Sequence, residues 1–103
     1  MVETYKTNSP KQLEERREKE RRAIELREAD LRLLLDMPEF RRYVWRHMCE
    51  TCGMMKSGAS PNGSTQSINI GMQDVARALF AEIESIDAMK IPQMMTEYYE
   101  GQK

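Results

Sequence analysis

The tetrapeptide Asp36-Met37-Pro38-Glu39 divides the chain. Proline has no amide hydrogen and its ring clashes with the carbonyl four residues back, so it breaks a helix from within but suits a first turn. With Asp36 as the expected N-cap and Glu39 reaching back, the motif predicts a helix start and a break or sharp bend just before it. The stretches on either side must therefore pack as separate helices.

On the N-terminal side, Ser9-Pro10-Lys11-Gln12 reads as another helix start, with Ser9 as cap, Pro10 in the first turn and Gln12 completing a capping box. The helix begun there has Leu13 as its only large apolar residue before Ile24. Glu15 with Lys19 and Glu18 with Arg22 stand four apart in the favourable order, so charge pairs along the surface support this half. From Ile24 onward, Ile24, Leu31, Leu34 and Leu35, with Ala23 and Leu26 beside them, form a stripe wide enough to pack. The segment is expected to be a charged arm anchored at one end, either solvated or docked on another subunit. No sustained heptad runs through its charged half, which argues against a coiled coil.

On the C-terminal side, Phe40, Val44, Met48 and Cys52 lie on one line of a helix, with Trp45 and Cys49 on the next. Gly53 stands where a left-handed C-terminal cap is expected. Ser-Gly-Ala-Ser-Pro-Asn-Gly, residues 57–63, is a surface loop by its turn-forming composition. Ser64 or Thr65 is the expected cap of a further helix, whose stripe runs through Ile68, Met72, Val75, Leu79, Ile83 and Ile86 and is widened by Ala76, Ala78 and Phe80. This should be the central core helix. Gly71 within it suggests a close helix crossing. Ile91-Pro92 is expected to break the run, leaving a short terminal helix or ordered tail in which Met94, Met95, Tyr98 and Tyr99 pack on the core or on a partner.

Hydrophobic residues make up 40% of the chain and charged residues 32%, the balance of amphipathic helices that pair with each other or with a partner. The expected class is all-α: a small helical module of about three to four helices carrying a long charged N-terminal helical arm. The expected organisation is a tail and arm over residues 1–29, a helical core module over 30–91 and a short helix or tail over 92–103. A formal net charge of −1 provides no global field for nucleic acid or an acidic membrane. No membrane-spanning run is present, and the opening MVETYKTN lacks the apolar segment of a secretory signal. Synthesis in a reducing cytoplasm is expected.

Cys49-Glu-Thr-Cys52 resembles a metal or redox pair. A structural zinc ion needs four ligands, however, and no cysteine or histidine lies beyond it; His47, the single histidine, lies on a different helical face from Cys49. A redox pair usually opens a helix, where the dipole lowers a thiol pKa, whereas this pair closes one. Both cysteines therefore read as small apolar residues at a helix end. No catalytic residue, metal site or cofactor is expected, since no nucleophile has a base and an orienting group near it in sequence, and the chain is read as a non-enzyme.

Residues 41–46, RRYVWR, combine three arginines with two aromatics, and on a helix Arg41, Arg42 and Arg46 form a solvated edge beside a buried Trp45. Together with Met94, Met95, Tyr98 and Tyr99 they are the candidate partner-binding residues. Arginine also contacts phosphate, so the alternative reading is a small DNA-binding or packaging accessory protein that uses the 41–46 helix. Nine methionines in so short a chain serve either as gap-filling in a thin core or as an adaptable interaction surface.

The order of features over residues 30–91 is similar to that of a family of small helical proteins encoded in the virion and morphogenesis gene clusters of short-tailed bacteriophages. Asp30, Arg32, Leu34 and Leu35 precede the Pro38-Glu39 step; Arg41-Arg42 and Trp45-Arg46 come next; Cys52-Gly53 end the helix; then come Asn62-Gly63 and the helix containing Gly71. The second helix departs from the family pattern, with NIGMQD where a more basic Glu-Gly-Arg-Arg type of stretch is usual. The resemblance implies a non-enzymatic virion assembly component inside the particle or at its portal or tail vertex, either in the internal ejection assembly or as a portal-bound adaptor. Its expected partners are other virion proteins (portal, ejection or adaptor proteins), with the chain present in multiple copies.

Overall fold

The computed structural model describes residues 9–101. All regular structure among them is helical, as the periodicity predicts: α1 (Pro10–Leu35), α2 (Pro38–Arg46) running on into a π turn (His47–Thr51), α3 (Gly63–Ile86) and α4 (Lys90–Gly101). The chain divides into two compact units between Leu31 and Arg32. None of its helices is long and apolar enough to cross a membrane among the described residues.

The first unit is the charged arm. Ser9 Oγ accepts from the Gln12 amide at 3.3 Å and donates to Gln12 Oε1 at 3.1 Å, so the capping pair forms, with the glutamine side chain meeting the hydroxyl. Further along, Glu18 receives Arg22 at 3.2 Å and is also held by Arg21, whose other nitrogen reaches Glu25 at 2.8 Å. Hydrogen bonding from Arg21 holds the Glu18 carboxyl below its usual range. The apolar stripe expected from Ile24 is narrower than its sequence suggests: Ile24 and Leu26 are exposed at 57% and 63%, and only Leu31 and Leu35 are buried.

The second unit contains the core, built from Leu35, Val44, Trp45, Met48, Met54, Ala76, Ile83, Ile91 and Met94. Helix α4 packs on both α2 and α3, and the π turn meets α3. Trp45 and Phe80 bring their rings to 6.2 Å at a tilt of 45°, joining α2 to α3.

The break near Asp36 is present, but Asp36 is not the cap. Pro38 excludes its predecessor from helical geometry. Met37 therefore takes the extended N-cap conformation without a side-chain bond, and the Asp36 carboxylate instead meets Lys90 Nζ at 3.1 Å. Helix α3 also starts earlier than expected. Asn62 Oδ1 accepts from the Thr65 amide at 3.0 Å, which makes Asn62 the cap in place of Ser64 or Thr65. Its end, at Ile86, precedes Pro92, which occupies the first turn of α4, where its missing amide costs nothing. The break itself falls at Asp87, whose side chain accepts from the Met89 amide at 3.1 Å.

The end of α2 widens by one residue. Cys52 N–H donates to His47 O at 3.0 Å, five residues back, and Met54 N–H to Met48 O at 3.0 Å. Gly53 has φ +65°, the left-handed conformation its sequence position predicts. One added residue rotates the downstream side chains by about 100°. The line from Phe40 through Met48 therefore stops at Met48, which is fully buried, and Cys52 is only half-buried.

Two features of α3 correct the sequence reading. Its buried face is Gln73, Ala76 and Ile83, while Ile68 and Val75 stand 63% and 67% exposed, so the helix edges the core instead of running through it. Gly71 has nothing within 4 Å of where a Cβ would lie, hence no close crossing. The close approach occurs at Gly58, where a Cβ would sit 3.1 Å from Gln73 Oε1 and from Ile70 Cγ1. Buried Gln73 fixes this loop, donating from Nε2 to Lys56 O at 2.7 Å and to Gly53 O at 3.0 Å.

Glycine replacements should therefore differ in sign. Gly53→Ala is expected to destabilise the module by about 1 kcal/mol, because alanine resists a positive φ. Gly71→Ala is expected to stabilise it by about 1 kcal/mol, because the position is helical and open. Gln73→Leu strips the Lys56 carbonyl of its side-chain donor, leaves Gly53 O with the Lys56 amide alone, and should cost roughly 1–3 kcal/mol. Urea unfolding of the three variants measures all these values.

Candidate interaction surface

The seven residues proposed for partner binding fall on α2 and α4, which pack against each other. Arg41 does not lie on the solvated edge expected of it. It is buried, with its Nε and Nη2 donating to the two carboxylate oxygens of Glu97, each at 2.9 Å, and Nη1 donating to Leu35 O at 2.9 Å. This forked geometry is the strongest that a guanidinium and a carboxylate make. The Leu35 carbonyl, left without an intrahelical partner at the end of α1, is satisfied by the same side chain. Arg41 is thus structural, and its donors are directed inward.

Arg42 and Arg46 remain exposed, and Arg46 Nε approaches Glu50 Oε2 at 3.7 Å. Met94 is also interior, at 1% exposure, whereas Met95 and Tyr98 are half-buried and Tyr99 is 65% exposed. Tyr98 and Tyr99 meet edge to face, with ring centroids 6.0 Å apart. Tyr98 donates its hydroxyl to Glu50 Oε2 at 3.0 Å; that bond, with burial and the glutamate charge, holds the phenol protonated to higher pH than usual.

Between the end of α2 and the outer face of α4 these side chains border a groove of about 220 Å³. Trp45, Met95, Tyr98 and Tyr99 supply apolar and aromatic walls, Cys49 and Met55 the side towards the π turn, and Glu50 and Lys56 a charged rim. A smaller cleft of about 40 Å³ beside it is bordered by Arg42, Arg46, Met94, Glu97 and Tyr98. The fold therefore gathers Arg42, Arg46, Met95, Tyr98 and Tyr99 on one surface and withdraws Arg41 and Met94 into its support.

Trp45, Cys49, Glu50, Met55 and Lys56 of the groove, and Glu97 beside it, are the members that sequence reasoning missed. Glu97 stands 56 positions from Arg41 and carries no local signal. A hint was available for Arg41: it lies four residues before Trp45 and seven before Met48, on the line that becomes the buried side of α2.

Cys49 and Cys52 are free thiols, half-buried, and burial together with the Glu50 charge pushes the Cys49 thiol up from its usual value. A neutral thiol is a poor nucleophile and metal ligand. Among the described residues no three His, Cys, Asp or Glu side chains gather as a metal-binding group. His47 lies outside the groove and stacks on Tyr43, with rings 6.2 Å apart and nearly parallel. The surface thus offers hydrophobic contact with a polar rim. Comparison with protein-family models, with curated proteins and with solved structures gave no match for this chain.

The Arg41–Glu97 clamp makes stability depend on pH in a defined direction. Hydrogen bonding and charge from Arg41 depress the Glu97 pKa in the folded chain. Its stabilisation is therefore complete above the ordinary unfolded value of about 4.3 and is lost as pH falls through the lower folded value. Arg41→Met should cost about 2–4 kcal/mol by leaving Glu97 and the Leu35 carbonyl without their donor. Glu97→Gln should flatten the acid limb of a plot of melting temperature against pH, and an unchanged limb would rule the clamp out as its source.

Proposed function

We propose that this chain is a non-enzymatic assembly subunit, a virion component of the kind encoded by short-tailed bacteriophages, which docks on another virion protein through the groove between α2 and α4. The observation that carries the docking role is the exposure of Met55 and Tyr99, at 64% and 65%, on the rim of a groove whose α2 and α4 walls are tied together by the Arg41–Glu97 pair. Large aromatic and methionine side chains on a fixed support are the composition of binding hot spots, since little freedom remains to be lost when a partner covers them. Methionine adds the adaptability to fit an irregular partner surface.

The virion assignment is supported by the order of sequence features from Asp30 to Gly71, and a place inside the particle near the portal vertex goes with that resemblance. The charged arm, with its capped start and surface charge network, suits a subunit that reaches a neighbour. A nucleic-acid role through residues 41–46 is less favoured by the geometry: Arg41 is committed to Glu97, and Arg46 faces Glu50.

Quantitative mass spectrometry of purified virions, before and after DNA release, is the test. Loss on release would identify an ejected internal component, retention a fixed portal or tail adaptor, and absence from both states would overturn the proposal. Substituting Met55 and Tyr99 together with aspartate should deplete the protein from particles while leaving the helical circular-dichroism signal unchanged. DNA affinity that falls steeply with salt, with Arg42 and Arg46 required, would favour the packaging-accessory reading instead.

A further inference from the structure

The apolar surface of α3 extends beyond what its own module covers. Gln73, Ala76, Phe80 and Ile83 face inward; about a third of a turn away, Ile68, Gly71, Val75 and Ala78 succeed one another at spacings of three, four and three, a continuous line along the helix. Ile68 and Val75 are 63% and 67% exposed, and the space beside Gly71 is open. Met72 and Leu79, both half-buried, flank this line.

We infer that this face pairs with the same face of a second copy of the chain, the two α3 helices running antiparallel about a two-fold axis at Val75. Two features of the helix select that occupant. The first is size. In an antiparallel pair, residues equally distant from Val75 along the chain meet, so Gly71 of each copy receives the Leu79 of its mate, Ala78 receives Met72, and Ile68, farther from the axis, lies against the side chain of Glu82, the charged residue at which the apolar line ends. Every small position on the line near the axis thus meets a large one, and Val75 meets itself.

The second feature is charge. Residues 63–73 of α3 carry no charged side chain, whereas residues 74–87 carry Asp74, Glu82, Glu84 and Asp87 against Arg77 alone. Antiparallel pairing lays the acidic half of one helix along the uncharged half of the other, nearest the positive end of its dipole. Parallel pairing would set acid against acid. At 24 residues, α3 is about 36 Å long, and one helical strip covers less than the roughly 800 Å² per partner of a standard interface. Association is therefore concentration-dependent. The interface uses none of the groove residues, so failure of one proposal leaves the other standing.

Sedimentation and light scattering of the full chain over roughly a hundredfold range of concentration should show a monomer passing to a dimer. Val75→Arg should abolish the dimer. Gly71→Leu should also abolish it by filling the slot for Leu79, while leaving the melting temperature of the dilute monomer unchanged or raised, which separates a lost interface from a lost fold. Under mild oxidation Val75→Cys should yield a dimer in which peptide mapping finds the two copies joined by a disulfide at the substituted position, and Arg77→Cys, facing away, should not. A monomer at every concentration, an oligomer that survives Val75→Arg, or equal crosslinking at positions 75 and 77 would each overturn the inference.

Discussion

The module depends on one guanidinium. Arg41 joins three elements: the last carbonyl of α1 at Leu35, its own helix α2, and α4 through Glu97. Desolvating such a charge costs several kcal/mol, and only complete hydrogen bonding in good geometry offsets that cost. Apolar contact would tolerate sliding between α2 and α4; a forked pair with both nitrogens engaged does not. The Asp36–Lys90 pair, 3.1 Å long, ties the same bend to the start of α4. Position is thus fixed by charge, while the burial of Trp45, Met48, Ile83 and Met94 supplies most of the driving force.

This division explains how a small core carries a defined surface. With 32% charged residues the chain cannot enclose all its apolar surface, and what remains outside is grouped. The groove holds Met55 and Tyr99, the far side of α3 holds Ile68 and Val75, and the arm exposes Ile24 and Leu26. Tyr99, Ile68 and Val75 stand on helices whose other sides are anchored, and Met55 sits in the turn after α2 next to buried Met54. Binding there would bury more area without first ordering the backbone.

Much of the architecture can be read from local chemistry. Pro38 enforces the break before α2, Gly53 provides its left-handed end, Ser9 caps α1, and threefold and fourfold spacing gives four helices. The errors have two physical origins. Caps differ from the expected ones where neighbours compete: Asn62 precedes Ser64, and Pro38 moves the cap to Met37, which has no side-chain acceptor. Burial differs where periodicity alone does not tell which side of a wide apolar helix faces inward, as with Val75 and Ile68 on α3. At the candidate surface, Tyr98, Tyr99 and Met95 were legible as an aromatic and methionine cluster near a chain end. The Arg41–Glu97 pair, spanning 56 residues, was visible only after folding.

The π turn at His47–Thr51 sets the length of the chain at this point more strictly than its composition. Its extra residue carries Gly53 to the position that needs a positive φ and Met54 back into the core. Deleting any one residue of the turn would restore ordinary helical hydrogen bonding yet swing Met54 outward by about 100°. An insertion would rotate it the other way. A chain of this design therefore accepts substitution along the turn more readily than any change in the number of residues between Trp45 and Gly53.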